Sequence, residues 1–145
     1  MEGPTSPAER FPIKESVASH FAWLNTRLAL EMTMMAWVRT ATTLIGFGFT
    51  IVLFFERLND MEGVAPAAQP FAARYVGLVL IAAGVVALIV SAMQYRATIR
   101  YLWQDDFRTI AGMGKAPAIT PIFAITIGIA LIGTTAFLAV LMRAV

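Results

Sequence analysis

Cysteine is absent, histidine occurs once, and only 14% of the residues are charged. Without cysteine there is no disulfide, no thiolate nucleophile and no cysteine metal site. One histidine, His20, gives too few imidazoles for a histidine-based metal cluster. A soluble domain carries roughly 25% charged residues. A fold of 145 residues needs polar surface to cover its core, so the charge deficit argues against a water-soluble domain. The net charge is only +2, and the basic side chains are scattered around apolar runs. Nucleic-acid binding requires them clustered on one face, so no nucleic-acid partner is expected.

What is abundant is apolar sequence, at 59% of residues. It falls into three long runs, each sufficient to cross a bilayer as a helix of about 20 residues. The expected fold is all-α and integral to a membrane, with spans at about 36–55, 75–95 and 120–142. Residues 1–16 carry Pro4, Pro7 and Pro12 and read as a flexible cytoplasmic tail with no secretory leader. Residues 17–145 form the three-helix membrane domain. It begins with an amphipathic or extended helical segment, with Ser16 or Ser19 as N-cap. Val17, Phe21, Leu24 and Leu28 share one side of that segment. It either lies in the membrane interface or packs on its own bundle. No proline or glycine separates Ser16 from Thr43, so the first helix can run unbroken.

Asp60, Gly63, Pro66 and Pro70 stop the first helix and predict a polar loop. The second helix extends past the membrane until Gly112 and Gly114 break it, with Tyr95, Tyr101 and Trp103 as interface anchors beside Trp37. Thr120 and Pro121 start the third helix, Thr120 as its cap. Seven Lys and Arg residues lie on the side of the N-terminus and of the second connection, against Arg57, Arg74 and Arg143 opposite. This predicts a cytoplasmic N-terminus and an outer C-terminus.

The chemistry-bearing residues are few. Arg39 is the single charge in the first span. It either snorkels to the headgroups or forms a buried pair or anion site with Glu31 and Thr43 nearby. Glu31 lies about 12 Å along the helix from Arg39, too far for a pair within one helix. Arg27, at i,i+4 spacing, is its local partner. Arg39, Thr43, Gly46 and Thr50 share one face, which either packs against another helix or lines a narrow polar path. Gly46, Gly48, Gly77, Gly84, Gly128 and Gly133 are candidate helix-packing positions. Asp105 and Asp106 read as a solvated turn, and His20 as a polar interface residue. No catalytic, cofactor or metal site is expected, and hence no enzyme.

The stretch LALEMTMMAWVRTATTLIGFGF resembles the signature of the domain-of-unknown-function 202 family, the YidH-like membrane proteins. Glu31, Thr33, Ala36, Trp37, Arg39, Thr40, Leu44, Ile45, Gly46, Phe47 and Gly48 fall on its positions, and YRATIR at Tyr95 to Arg100 resembles the segment after its second helix. Leu30 and Met32 depart from it, standing where the family often has asparagine and arginine. The resemblance implies a small multi-pass protein of a bacterial inner membrane. The related membrane portion of the vacuolar transporter chaperone complex implies a homo-oligomer with Arg39 toward its axis and an inorganic anion such as polyphosphate as passenger. Two roles are therefore expected: a non-catalytic scaffold or accessory subunit beside a membrane or cytoplasmic partner, or an anion channel.

Overall fold

A computed structural model describes residues 14–59, 70–112 and 120–142. The chain forms four helices: α1 (Val17–Asn59), α2 (Pro70–Leu102), the short α3 (Asp105–Ala111) and α4 (Pro121–Met142). Three of them, α1, α2 and α4, are long and apolar enough to cross a membrane.

Helix α1 has 43 residues and is about 64 Å long, twice what a bilayer core needs. Its start is capped as expected, since the Ser16 hydroxyl accepts the Ser19 amide at 3.1 Å. Nothing after it interrupts the helix. The amphipathic N-terminal segment is therefore the first half of α1, and Trp23 docks it on the bundle. Helix α2 begins at Pro70, which was expected in the loop. A proline fits there because the first turn has no use for its missing N–H. It stops at Leu102 instead of running on to Gly112 as expected, and α3 follows as a separate helix. Asp105 and Asp106, read from the sequence as a turn, open α3. Gly112 ends α3 with φ 66°, a left-handed conformation that costs glycine nothing.

Helices α1 and α2 run antiparallel along most of their length. The packing face of α1 passes through Trp23, Met34, Ala41, Ile45, Gly48 and Val52. Those positions fall within about 60° of one another around the helix. Ile81 and Leu88 of α2 and Val140 of α4 complete the membrane core. A second cluster forms beyond it from Trp23, Leu102 and Ala111, with Leu24, Leu30, Trp103, Phe107 and Ile110 packed around them.

Two polar ties fix the level of α4 against α2. The hydroxyls of Tyr95 and Thr120 share a buried hydrogen bond of 3.1 Å at one end. At the other, the Arg74 guanidinium donates to the Val140 carbonyl at 2.8 Å and satisfies one of the free carbonyls ending α4. Between these levels lies a slab about 30 Å thick, the hydrocarbon thickness of a bilayer. The Gly48–Gly77, Ala41–Gly84 and Trp23–Leu102 contacts set the Tyr95 level beside Leu30, so α1 from Val17 to about Ala29 projects past the slab, by about 20 Å.

Candidate functional site

The glycines divide into two groups. A Cβ on Gly48 would stand 2.7 Å from the Gly77 carbonyl oxygen, and one on Gly84 would stand 2.8 Å from that of Ala41. A Cβ on Gly77 would meet both Val52 and the Gly48 carbonyl. These three glycines let the α1 and α2 backbones touch. Gly133 performs the same service for α4, where a Cβ would come within 2.7 Å of Ile45 and 2.9 Å of Val85. Gly46 and Gly128 are different, with nothing within 4 Å of their Cβ positions. Neither permits a close approach within the chain.

Gly46 belongs to the face Arg39, Thr43, Gly46 and Thr50, and all four are exposed. No helix among the described residues covers that face. The packing face of α1 runs through Gly48 instead, about 200° round the helix from Gly46. The two threonines turn their hydroxyls onto their own helix. Thr43 donates to the Arg39 carbonyl at 3.0 Å and Thr50 to the Gly46 carbonyl at 2.8 Å. Thr40 and Thr42 do the same with Ala36 and Val38. A threonine so bonded presents its methyl group outward and asks for no polar partner.

The Arg39 guanidinium has no hydrogen-bond or ion-pair partner among the described residues. It lines a cleft of about 410 Å³ between α1 and the start of α4, together with Glu31, Met35, Val38, Thr120, Pro121, Ile122 and Ile125. Glu31 shares that cleft but pairs with Arg27 at 3.7 Å, along its own helix. Arg27 also lies 6.0 Å from the Trp23 ring. Glu31, Arg39 and Thr43 thus lie along one helix without forming a single site: Thr43 meets the Arg39 backbone and Glu31 meets Arg27.

Of the expected interface anchors, Trp37 is exposed at the level of Arg39. Tyr95 and Trp103 have partners within the chain. Tyr95 is buried on Thr120 and stacks on Phe123, because its hydroxyl has a partner inside the protein. Thr120 accordingly holds Tyr95, and not the amides it was expected to cap. Trp103 packs edge-on against Trp23 at 5.4 Å.

Three side chains hold the structure together that sequence reasoning had not assigned. The Trp23 indole donates to the Leu102 carbonyl at 3.1 Å, closing the end of α2. His20 Nδ1 lies 2.7 Å from the Ile110 carbonyl and secures α3. Arg74 ends α4, as described above. Trp23 was visible in principle, since it continues the face of Met34, Ala41 and Ile45 backward at helical spacing. The partners of His20 and Arg74 are carbonyls far along the chain, which no spacing rule reaches.

Among the described residues, no three His, Cys, Asp or Glu side chains gather as a metal site would require. No curated protein and no solved structure matches the chain. The model of one family, a domain of unknown function, DUF202, matches residues 25–101, from the third turn of α1 to the last turn of α2. That stretch contains the α1–α2 glycine contacts, the Arg39 face and the Tyr95 tie, and with more than half its length matched the chain belongs to the DUF202 family of membrane proteins.

Proposed function

We propose that the protein is a non-catalytic scaffold or accessory subunit of a bacterial inner membrane, acting as a homo-oligomer with its N-terminus in the cytoplasm. One observation carries this reading: the membrane half commits its threonines, Tyr95 and Arg74 to structural partners and leaves Arg39 without one. Its threonines bond to their own helices, Tyr95 to Thr120, and Arg74 to the end of α4. Catalysis needs an acid, base or nucleophile held toward a substrate. The N-terminal half of α1 and α3 form a packed extension suited to holding a membrane or cytoplasmic partner. The asymmetry of Lys and Arg supports the stated orientation.

A second reading is an oligomeric anion or polyphosphate-type channel with Arg39 facing the axis. Its support is the unpartnered guanidinium in a cleft shared with the start of α4, whose backbone amides also favour negative charge. Anion release from liposomes reconstituted with the purified protein separates the two, with chloride and short polyphosphate as probes. No release is expected, and Arg39→Ala should change assembly or insertion only. A flux that Arg39→Ala abolishes would overturn the scaffold reading in favour of the channel.

A further inference from the structure

The seam between α1 and α4 holds two clefts, one above the other. The upper, of about 410 Å³, is the Arg39 cleft at the start of α4. The lower, of about 710 Å³, follows the same two helices and is walled by Ile45, Gly46, Phe49, Ile129, Ile132 and Ala136. One helical turn separates them on each helix, from Arg39 to Thr42 and from Ile125 to Ile129. The seam stays open because α4 turns Thr126, Gly133 and Val140 to the bundle and leaves this neighbouring side uncovered.

The chemistry of the seam changes with depth. Leu30 stands level with the Tyr95–Thr120 tie, so the Arg39 Cα lies about 13 Å inside the slab. Its stem leans toward the N-terminus of α1, as helical side chains do, and carries the guanidinium toward the first turn of α4. A cation at that depth is costly without an accompanying anion. Glu31, at the outer rim, is neutralised by Arg27 at 3.7 Å. The first turn of α4 holds no acidic residue, so its positive end adds to the same sign. The lower cleft is apolar. The hydroxyls of Thr42 and Thr135 in its wall donate to the Val38 and Leu131 carbonyls, which leaves their methyl groups to the groove. Gly46, with nothing within 4 Å of its Cβ position, deepens it.

We propose that this seam binds one phospholipid, with its phosphate on Arg39 and one acyl chain in the lower groove. The order of charge and apolar surface selects the occupant. The cation lies nearer the membrane surface and the groove nearer the midplane, as the phosphate and chain of a phospholipid do in that leaflet. A guanidinium takes a phosphate through two parallel N–H donors. From Ile129 to Ala139 the groove runs about 15 Å, half of the roughly 30 Å hydrocarbon core and so the depth of one leaflet. A soluble anion would satisfy Arg39 and leave the groove unfilled. A neutral lipid would fill the groove and leave Arg39 without a counter-charge. The proposal stands apart from the scaffold reading, which rests on other residues.

The test uses the purified full chain in a mild detergent. It is titrated with phosphatidylglycerol, with diacylglycerol of the same chains and with inorganic phosphate, and the adducts are counted by native mass spectrometry. One phosphatidylglycerol per chain is expected, held about tenfold or more tighter than diacylglycerol, as charge-assisted hydrogen bonds require. Inorganic phosphate should leave that adduct in place. Arg39→Gln removes the charge and Gly46→Leu fills the groove, and each should weaken binding by about tenfold or more. Thr134→Leu, about 140–160° round α4 from Ile129, Ile132 and Ala136, should leave it unchanged. Circular dichroism checks that each variant keeps its helices. A wild type that holds no phosphatidylglycerol, equal retention of diacylglycerol, or binding that either Arg39→Gln or Gly46→Leu leaves unchanged overturns the proposal. Displacement of the lipid by inorganic phosphate overturns it in favour of a soluble anion at Arg39. Anion flux through liposomes would strike the scaffold reading without deciding whether the lipid binds.

Discussion

The two halves of this protein are held together by different physics. In the membrane half, α1 and α2 meet where side chains are missing, at Gly48, Gly77 and Gly84. In the extension α1 meets the end of α2 and the α3 segment through large side chains, with Trp23 on Trp103 and on the Leu102 carbonyl, and His20 on that of Ile110. Water explains the difference. Burying an aromatic ring is rewarded where the alternative is water. Between lipid tails that reward vanishes, and association depends on close backbone approach. One unbroken helix therefore changes its packing chemistry as it leaves the bilayer.

The sharpest way to break the comparison is to add a side chain where the membrane half has none. Gly77→Leu should destabilise the fold by about 3 kcal/mol or more, because overpacking here is against backbone. Gly46→Leu should leave the stability of the single chain unchanged. Unfolding in a mild detergent followed by circular dichroism distinguishes them, and equal losses would remove the distinction between the two glycines.

Removing bulk from the extension comes next. Trp23→Ala should cost about 3–5 kcal/mol locally. Its effect should appear as faster amide exchange in α3 and the end of α2, with α4 unchanged. A uniform rise across all helices would mean that the two halves unfold together.

Tyr95→Phe is smaller. It removes one neutral hydrogen bond at the boundary between the halves, about 1 kcal/mol. Pairing it with Thr120→Val in a double-mutant cycle should show coupling, and strict additivity would show that the bond carries no stability. The smallest effect belongs to the Arg27–Glu31 pair on the extension's surface. Glu31→Gln should shift stability by only about 0.3 kcal/mol, and less in high salt.

Much of the architecture could be read from the chain because lipid imposes simple demands. Apolar runs announced the three long helices, and the lack of proline or glycine between Ser16 and Thr43 announced the length of α1. The direction of each face was less legible. Gly46 and Gly48 are two residues apart and equally small, yet point about 160° apart. Only the position of α2 decides which one is buried. Aromatic residues near the boundary were equally ambiguous, since Trp37 and Tyr95 obey the same composition rule while one is exposed and the other covers Thr120. The Arg39 side chain was conspicuous as the sole charge in its span, but its freedom from Glu31 depended on Arg27 taking that carboxylate.

The continuity of α1 has a mechanical side. A helix without a hinge, tied to its neighbours at Gly48, Ala41, Trp23 and His20, works as a strut: a displacement gripped at the extension arrives at the opposite end of α1 undiminished, with α2 carried beside it.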